Sequence, residues 1–321
     1  MIAYVRRGVL VMRIVVAGTG GVGGYFGAKL ARAGATVTFL ARGAQLHAIR
    51  ERGLTVRSTI EGDVTVPVEA VADLRGQPVT DAVLLCVKSF DTESVVEQLR
   101  PVVGADTVVL SLQNGVDNEE KIDALLGAGH AAGGAAYVFA TIEAPGVIAH
   151  RFAGRIVFGE MDGRVRPRTE QLREAFAAAS IPAEVSGAIG RVLWEKYLFI
   201  SAQSGMTALT RCSMGILRAT PESWRMYRAI VEELAAVGRA AGVPLGADAV
   251  AAVMKTAEGL GAEASSSLHH DLTQGRRLEL EALHGHAVRL GERFGIPTPM
   301  VFAVYAALKP QAAGRPSPSS A

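Results

Sequence analysis

Arg13-Ile14-Val15-Val16-Ala17-Gly18-Thr19-Gly20-Gly21-Val22-Gly23-Gly24-Tyr25-Phe26-Gly27 is the stretch whose reading decides the fold. Ile14 to Ala17 is a short, unbroken apolar run, the signature of a strand buried on both faces. It ends in Gly18-x-Gly20-x-x-Gly23, after which Val22, Phe26, Leu30 and Ala33 recur at helical spacing until Gly34. The order is strand, glycine turn, helix, which is the context a dinucleotide fingerprint requires. Gly18 permits the tight turn, Gly20 lets backbone approach a pyrophosphate, and Gly23 lets helix and strand pack closely. The helix N-terminus then faces the anion, and Thr19, Gly21 and Val22 complete the set of cofactor-contact candidates.

Working outward, Thr36-Val37-Thr38-Phe39-Leu40-Ala41 reads as the second strand. At its tip an Asp or Glu would grip the ribose hydroxyls of NAD. This chain has Arg42 there, and no acidic residue between the glycine turn and Glu51. A guanidinium suits a 2′-phosphate, which it grips with paired hydrogen bonds, so NADP is expected over NAD. The alternative is that Arg42 is a solvated loop residue.

Length and composition bound the rest. The 321 residues, nearly half apolar, suit two ordinary domains or one large one. A net charge of +2 with interspersed signs leaves no electrostatic footprint for nucleic acid or an acidic membrane. Cys86 and Cys212, the only cysteines, read as free thiols in a reducing, cytoplasmic setting. Arg6 and Arg7 precede an apolar stretch like that of a secretory signal, but cleavage there would destroy the fingerprint strand. Residues 1–11 therefore read as an extension before Met12, and 311–321, with Gly314-Arg-Pro-Ser-Pro-Ser-Ser, as a disordered tail.

Downstream, Asp81 to Val87 and Thr107 to Leu112 are further buried strands, ending at Lys88 and at Gln113-Asn114-Gly115. Helical segments at Thr92 to Leu99 and Asn118 to Leu126 alternate with them, which implies a doubly wound parallel sheet of Rossmann type. Ligands bind beyond the carboxyl ends of such strands, where Lys88 and Asn114 sit. Gly134 to Thr141, Val147 to Phe152 and Arg155 to Glu160, around Ala153-Gly154, read as strands of a closing hairpin, and Ala183 to Ser186 as a last strand. From Ile189 to Leu308 the pattern is helical, so the expected organisation is a nucleotide-binding domain over 1–186 and an all-helical domain over 187–310 that binds substrate and is compatible with a homodimer.

Val192 to Leu209 carries only two charges, Glu195 and Lys196. A helix apolar on nearly every side is buried, and desolvation can pull a lysine from about 10.4 toward neutrality. Such a lysine can donate a proton; the alternative is a side chain that snorkels or pairs with a carboxylate. Farther on, Ser265-Ser266-Ser267 reads as a capped helix start. Leu283, Ala287, Leu290 and Phe294 form an apolar stripe, and Glu279 lies one turn before it, where a carboxylate wants a partner. Glu281 faces the other side. His269, His270, His284 and His286 offer no convincing metal-ligand spacing and read as surface or packing residues.

Taken together, these motifs resemble the ketopantoate reductase family over about Met12 to Pro310. The marks are Gly18-Thr-Gly-Gly-Val-Gly23 with Arg42, Cys86-Val-Lys88, Gln113-Asn114-Gly115, Trp194-Glu-Lys196, and Ser265-Ser-Ser267 to Asp271 followed by Glu279. The resemblance implies NADPH-dependent reduction of the ketone of 2-dehydropantoate, a small 2-oxo acid, to (R)-pantoate in pantothenate biosynthesis. It casts Lys196 as general acid and Glu279 as a substrate-contacting carboxylate. Asn114, Ser267 and Ser204 become polar contacts to substrate, Asn114 also to cofactor, and Arg42 and Lys88 contacts to NADP. Departures accompany the match: Ile200 and Ser204 stand where many members carry Asn four and eight residues after the lysine, and Ala264 stands where they carry Asn before the serine. Losing an amide hydrogen bond to substrate costs about 1–3 kcal/mol, roughly ten- to hundredfold in affinity. Two alternatives stay open: reduction of a different 2-oxo acid or ketone, including hydroxyacid or polyol-phosphate dehydrogenation, and a non-catalytic NADP-binding sensor.

Overall fold

The computed structural model describes residues 5–6 and 9–315, with side chains from Val11 onward. The chain forms two compact units, one running through Gln113 and then Asp117–Ile189, the other comprising Asn114–Val116 and the chain from Gly190.

The first unit is built on a mixed sheet of ten strands. In chain order they are β1 (Arg13–Ala17), β2 (Thr36–Leu40), β3 (Leu54–Ser58), β4 (Val64–Val66), β5 (Glu69–Val71), β6 (Thr80–Leu85), β7 (Val103–Ser111), β8 (Ala131–Ala144), β9 (Val147–Glu160) and β10 (Ala183–Val185). In space they run β4-β3-β9-β8-β7-β6-β1-β2-β5, with β10 beside β9. The expected parallel sheet is the stretch from β8 to β5, while β8 with β9 and β3 with β4 add antiparallel pairs.

Five helices cover this sheet: α1 (Gly21–Arg32), α2 (Gly43–Arg52), α3 (Thr92–Leu99), α4 (Asn118–Leu126) and α5 (Pro167–Ala178). Successive side chains of a strand point to opposite faces, so a strand apolar at every position needs cover on both. Ile14 and Val16 pack with Phe26 and Leu30 of α1 and Phe176 of α5. Val15 and Ala17 pack on the other face with Val96 and Leu99 of α3 and Ile122 of α4. This division makes the sheet doubly wound.

The hairpin differs from its sequence reading. β8 and β9 are each continuous, and the chain reverses at Pro145-Gly146, between the paired Ala144 and Val147. Ala153-Gly154 is a bulge within β9: Tyr137 pairs with Arg155 and Val138 with Ala153, leaving Gly154 extra, with φ of 57° at Ala153 and 132° at Gly154. His150, fully buried, holds this bulge through Nε2, 2.9 Å from the Ala153 carbonyl, and accepts from Ser58 at Nδ1.

The second unit is helical, with α6 (Ile189–Thr210), α7 (Met214–Ala219), α8 (Pro221–Ala240), α9 (Ala249–Glu258) and α10 (Ser267–Thr273), then a π-turn at Glu281–Gly285 that leads into α11 (His286–Phe294) and α12 (Pro299–Leu308). Its core gathers Leu198 and Met206 of α6, Ile230 and Leu234 of α8, Met254 of α9 and Val304 of α12. Burial of such side chains is worth about 1.5–3 kcal/mol each. Leu283 and Ala287 are buried as expected, but Phe294 is 37 % exposed: it is the last residue of α11, which ends at the left-handed Gly295. The expected tail is ordered as far as it is described: Leu278 donates its N–H to the Ala312 carbonyl and Arg315 to that of Gly275. The rest of that call, and most of the call on residues 1–11, lies outside the described residues. Among the described residues, no helix is long and apolar enough to cross a membrane.

Candidate active site

The glycine turn sits at the carboxyl end of β1. Gly18 adopts φ +103°, and a Cβ there would lie 2.6 Å from the Val87 nitrogen. Gly23 meets the Gly18 carbonyl, at 2.2 Å from an added Cβ, so it serves the close helix–strand approach. Gly20 is different. Its φ of −85° is open to any residue and no protein atom lies within 4 Å of an added Cβ, so the protein's own packing does not call for glycine. Gly21 is constrained by the hairpin, since an added Cβ would fall 1.9 Å from the Ala140 carbonyl. Val22 is half-buried on α1 and packs on the core.

The hydroxyl of Thr19, buried, donates to the Leu40 carbonyl at 3.2 Å and so is turned into the sheet edge. Its carbonyl accepts from the Gln45 side chain at 3.0 Å, and Gln45 Oε1 accepts from the Gly146 N–H at 2.8 Å. Gln45 thereby ties the glycine turn to the hairpin. Sequence reasoning passed over it, because a glutamine on a short polar helix carries no periodic signal.

Arg42 is the N-cap residue of α2, its side chain 85 % exposed, with Nη2 2.7 Å from Asp91 Oδ2. Lys88 stands at the end of β6 just before the 3₁₀ turn Ser89–Asp91. Beside it, buried Gln113 donates to the Val87 carbonyl at 2.9 Å and to Thr92 Oγ1 at 2.8 Å, fastening the ends of β6 and β7 together. Asp91 was not singled out in sequence, and Gln113 entered only as part of Gln113-Asn114-Gly115 with no role of its own; each owes its place to a partner on another strand or helix.

In the second unit, α6 organises the candidate residues. Lys196 is half-buried on it, and Ser204, two turns on, is buried. Gln203 and Thr207 lie on the stripe of Lys196, at i+7 and i+11. Gln203 Nε2 donates to the Ser265 carbonyl at 2.8 Å, and Thr207 Oγ1 lies 2.8 Å from Ser266 Oγ. The serine loop is thus pinned along the lysine face. Ser266 is the residue that caps α10, accepting from the His269 N–H at 3.1 Å, which leaves Ser267 exposed at the first helical position. Glu279 is buried, 6 % exposed, one turn ahead of Leu283, whose N–H it accepts at its carbonyl. Asn114 belongs by its contacts to this unit, half-buried next to Gly115 with φ +111°.

His284 is fully buried, and burial pulls it down to about 4. A histidine held neutral in the fold but free to protonate when unfolded loses stability as pH falls from its unfolded value near 6.5 toward 4. Glu119, buried on α4 and pushed up to about 7, acts oppositely, its contribution fading as pH rises through that range. The expected outcome is that His284→Gln abolishes an acid-side loss of roughly 3 kcal/mol relative to wild type. Urea unfolding of both proteins between pH 7 and pH 4 checks it; a difference constant with pH would contradict it.

Comparison with known proteins now decides the family. The model described as ketopantoate reductase PanE/ApbA matches residues 14–163, and that for its C-terminal part matches 188–312. The chain belongs to the ketopantoate reductase family. It is accordingly an oxidoreductase acting on CH–OH groups. Among the relatives of this reductase, the 2-dehydropantoate 2-reductase of Archaeoglobus fulgidus is 34% identical over 287 residues, 89% of this chain and 93% of that one. An uncharacterized oxidoreductase of Bacillus subtilis, YkpB, is 31% identical, covering 93% and 98%. The crystal structure of a PanE/ApbA family ketopantoate reductase from Ralstonia eutropha JMP134 superposes with a TM-score of 0.87 at 34% identity, over 94% of this chain and 98% of that one.

Proposed function

We propose that this reductase uses NADPH to reduce 2-dehydropantoate to (R)-pantoate. The observation that carries the reading is that one helical unit holds both Lys196, half-buried on a stretch of α6 whose only other charge is Glu195, and the buried Glu279. The unfilled space around Gly20, at the N-terminus of α1, supports a pyrophosphate approaching backbone N–H groups there. NADPH, when bound, supplies the hydride. The chain's own residues then handle charge and proton: as negative charge develops on the ketone oxygen, the Lys196 ammonium stabilises it and donates the proton, while Glu279 orients the substrate. Turnover of NADPH with a panel of 2-oxo acids that includes 2-dehydropantoate tests the proposal; absence of oxidation with every member would refute it.

Arg42 supports NADP over NAD. Its ion pair with Asp91 is exposed and worth at most about 1 kcal/mol, so a 2′-phosphate of higher charge can displace the carboxylate. Arg42→Ala is expected to weaken NADPH binding by roughly ten- to hundredfold and leave NADH nearly unchanged. Titration of both nucleotides by fluorescence decides this, and an equal loss for both would count against the phosphate role. Ile200 favours a second substrate reading, a different branched 2-oxo acid, because a hydrocarbon on the lysine stripe accommodates an apolar side chain and cannot hydrogen-bond a hydroxyl. The same panel separates the two.

A further inference from the structure

Tyr197 follows Lys196 in sequence and is fully buried, and its hydroxyl donates to the Leu283 carbonyl at 2.6 Å. One turn farther along α6, the Ser201 carbonyl lies 3.0 Å from Nε2 of His284. A carbonyl only accepts, so Nε2 carries the proton and the ring is the neutral Nε2–H tautomer. Nδ1 is buried without a hydrogen-bond partner, so this ring is held for what Nε2 does. Both partners belong to the π-turn Glu281–Gly285, where the His286 N–H reaches back to the Glu281 carbonyl. That turn follows Glu279 directly.

Gly205 makes room for the arrangement. An added Cβ would lie 2.6 Å from His284 Nε2 and 2.9 Å from a Val304 methyl. Glycine inside a helix is destabilising relative to alanine, and no positive φ requires it here. Its absent side chain lets the imidazole lie against the helix backbone.

We propose that Tyr197 and His284 are positioning residues, clamping the helix that carries Lys196 to the π-turn that follows Glu279 and so fixing where ammonium and carboxylate stand. The proposal rests on the roles assigned to those two residues above. Two buried hydrogen bonds, one turn apart on α6, prevent both sliding and rotation of the helix against the turn. Displacement of a reacting group by about 1 Å can cost on the order of a hundredfold in rate, so the clamp is felt in turnover before it is felt in folding.

The test uses the full-length protein. Tyr197→Phe keeps the ring and removes the donor, His284→Leu removes the other donor, and His284→Gln keeps an N–H near the position of Nε2. Tyr197→Phe and His284→Leu are expected to lower kcat by about 10- to 100-fold, with NADPH affinity unchanged and the alkaline limb of the kcat–pH profile displaced. His284→Gln restores most of the loss. Wild-type kcat and pH profile in Tyr197→Phe, or failure of His284→Gln to do better than His284→Leu, would overturn the clamp. Lys196→Ala and Glu279→Ala run alongside: if both are inactive while the clamp variants are normal, only this inference fails. If both are fully active, the assignment of the site fails and the clamp with it.

Discussion

Lys196→Ala is expected to lower kcat by about 10²- to 10⁴-fold while leaving NADPH binding intact. Lys196 is half-buried on α6, and its proposed partner is the substrate oxygen rather than the nucleotide, so removing the amine is expected to spare NADPH affinity. In the proposed role, what the variant loses is the proton and the positive charge that would meet the developing alkoxide, and water at that position supplies neither with comparable placement. Glu279→Ala should depress kcat/KM through substrate orientation. Stopped-flow measurement of NADPH oxidation under single-turnover conditions isolates the chemical step. Wild-type rates in both variants would remove the catalytic assignment.

The second large effect is structural. Gly21→Ala places a methyl group 1.9 Å from the Ala140 carbonyl carbon's oxygen, a backbone atom that cannot swing aside as a side chain would. Either the hairpin of β8 and β9 or the first turn of α1 has to move. Overpacking of this kind costs typically 1–3 kcal/mol, and a backbone clash this short belongs at or above the top of that range, about 3 kcal/mol. Because the displaced turn is the one expected to face the pyrophosphate, NADPH affinity should fall together with thermal stability. Gly20→Ala is the control, since a Cβ there meets no protein atom; it should fold normally and lose only nucleotide affinity. Differential scanning calorimetry with and without NADPH separates the two, and a Gly21→Ala protein of unchanged Tm would show that the hairpin yields freely.

The sheet unit was legible where its signals are local. Ile14 to Ala17, the glycine turn and the α1 stripe stand in one unbroken stretch, and strand and helix periodicity follow from side chains only a few residues apart. The hairpin was misjudged at Ala153-Gly154 because a glycine preceded by a small residue reads alike as a turn or as a bulge, and only pairing with β8 distinguishes them. Phe294 has the spacing of the buried stripe but lies at the last position of α11, and what covers a helix end is decided by tertiary packing, which periodicity does not reveal.

By itself, then, the sequence determined a glycine-turn nucleotide-binding sheet, a helical second half, and the residue types at Arg42, Lys196 and Glu279, since each depends on neighbours in the chain or on chemistry carried by a single side chain. Tertiary structure alone decided that Arg42 leans on Asp91, 49 positions away, and that Tyr197 reaches Leu283 across 86 positions. It alone decided that Gly21 serves the hairpin while Gly20 is left open. Such contacts join elements far apart in the chain, and their geometry is fixed by packing, which leaves no periodic trace in the order of residues.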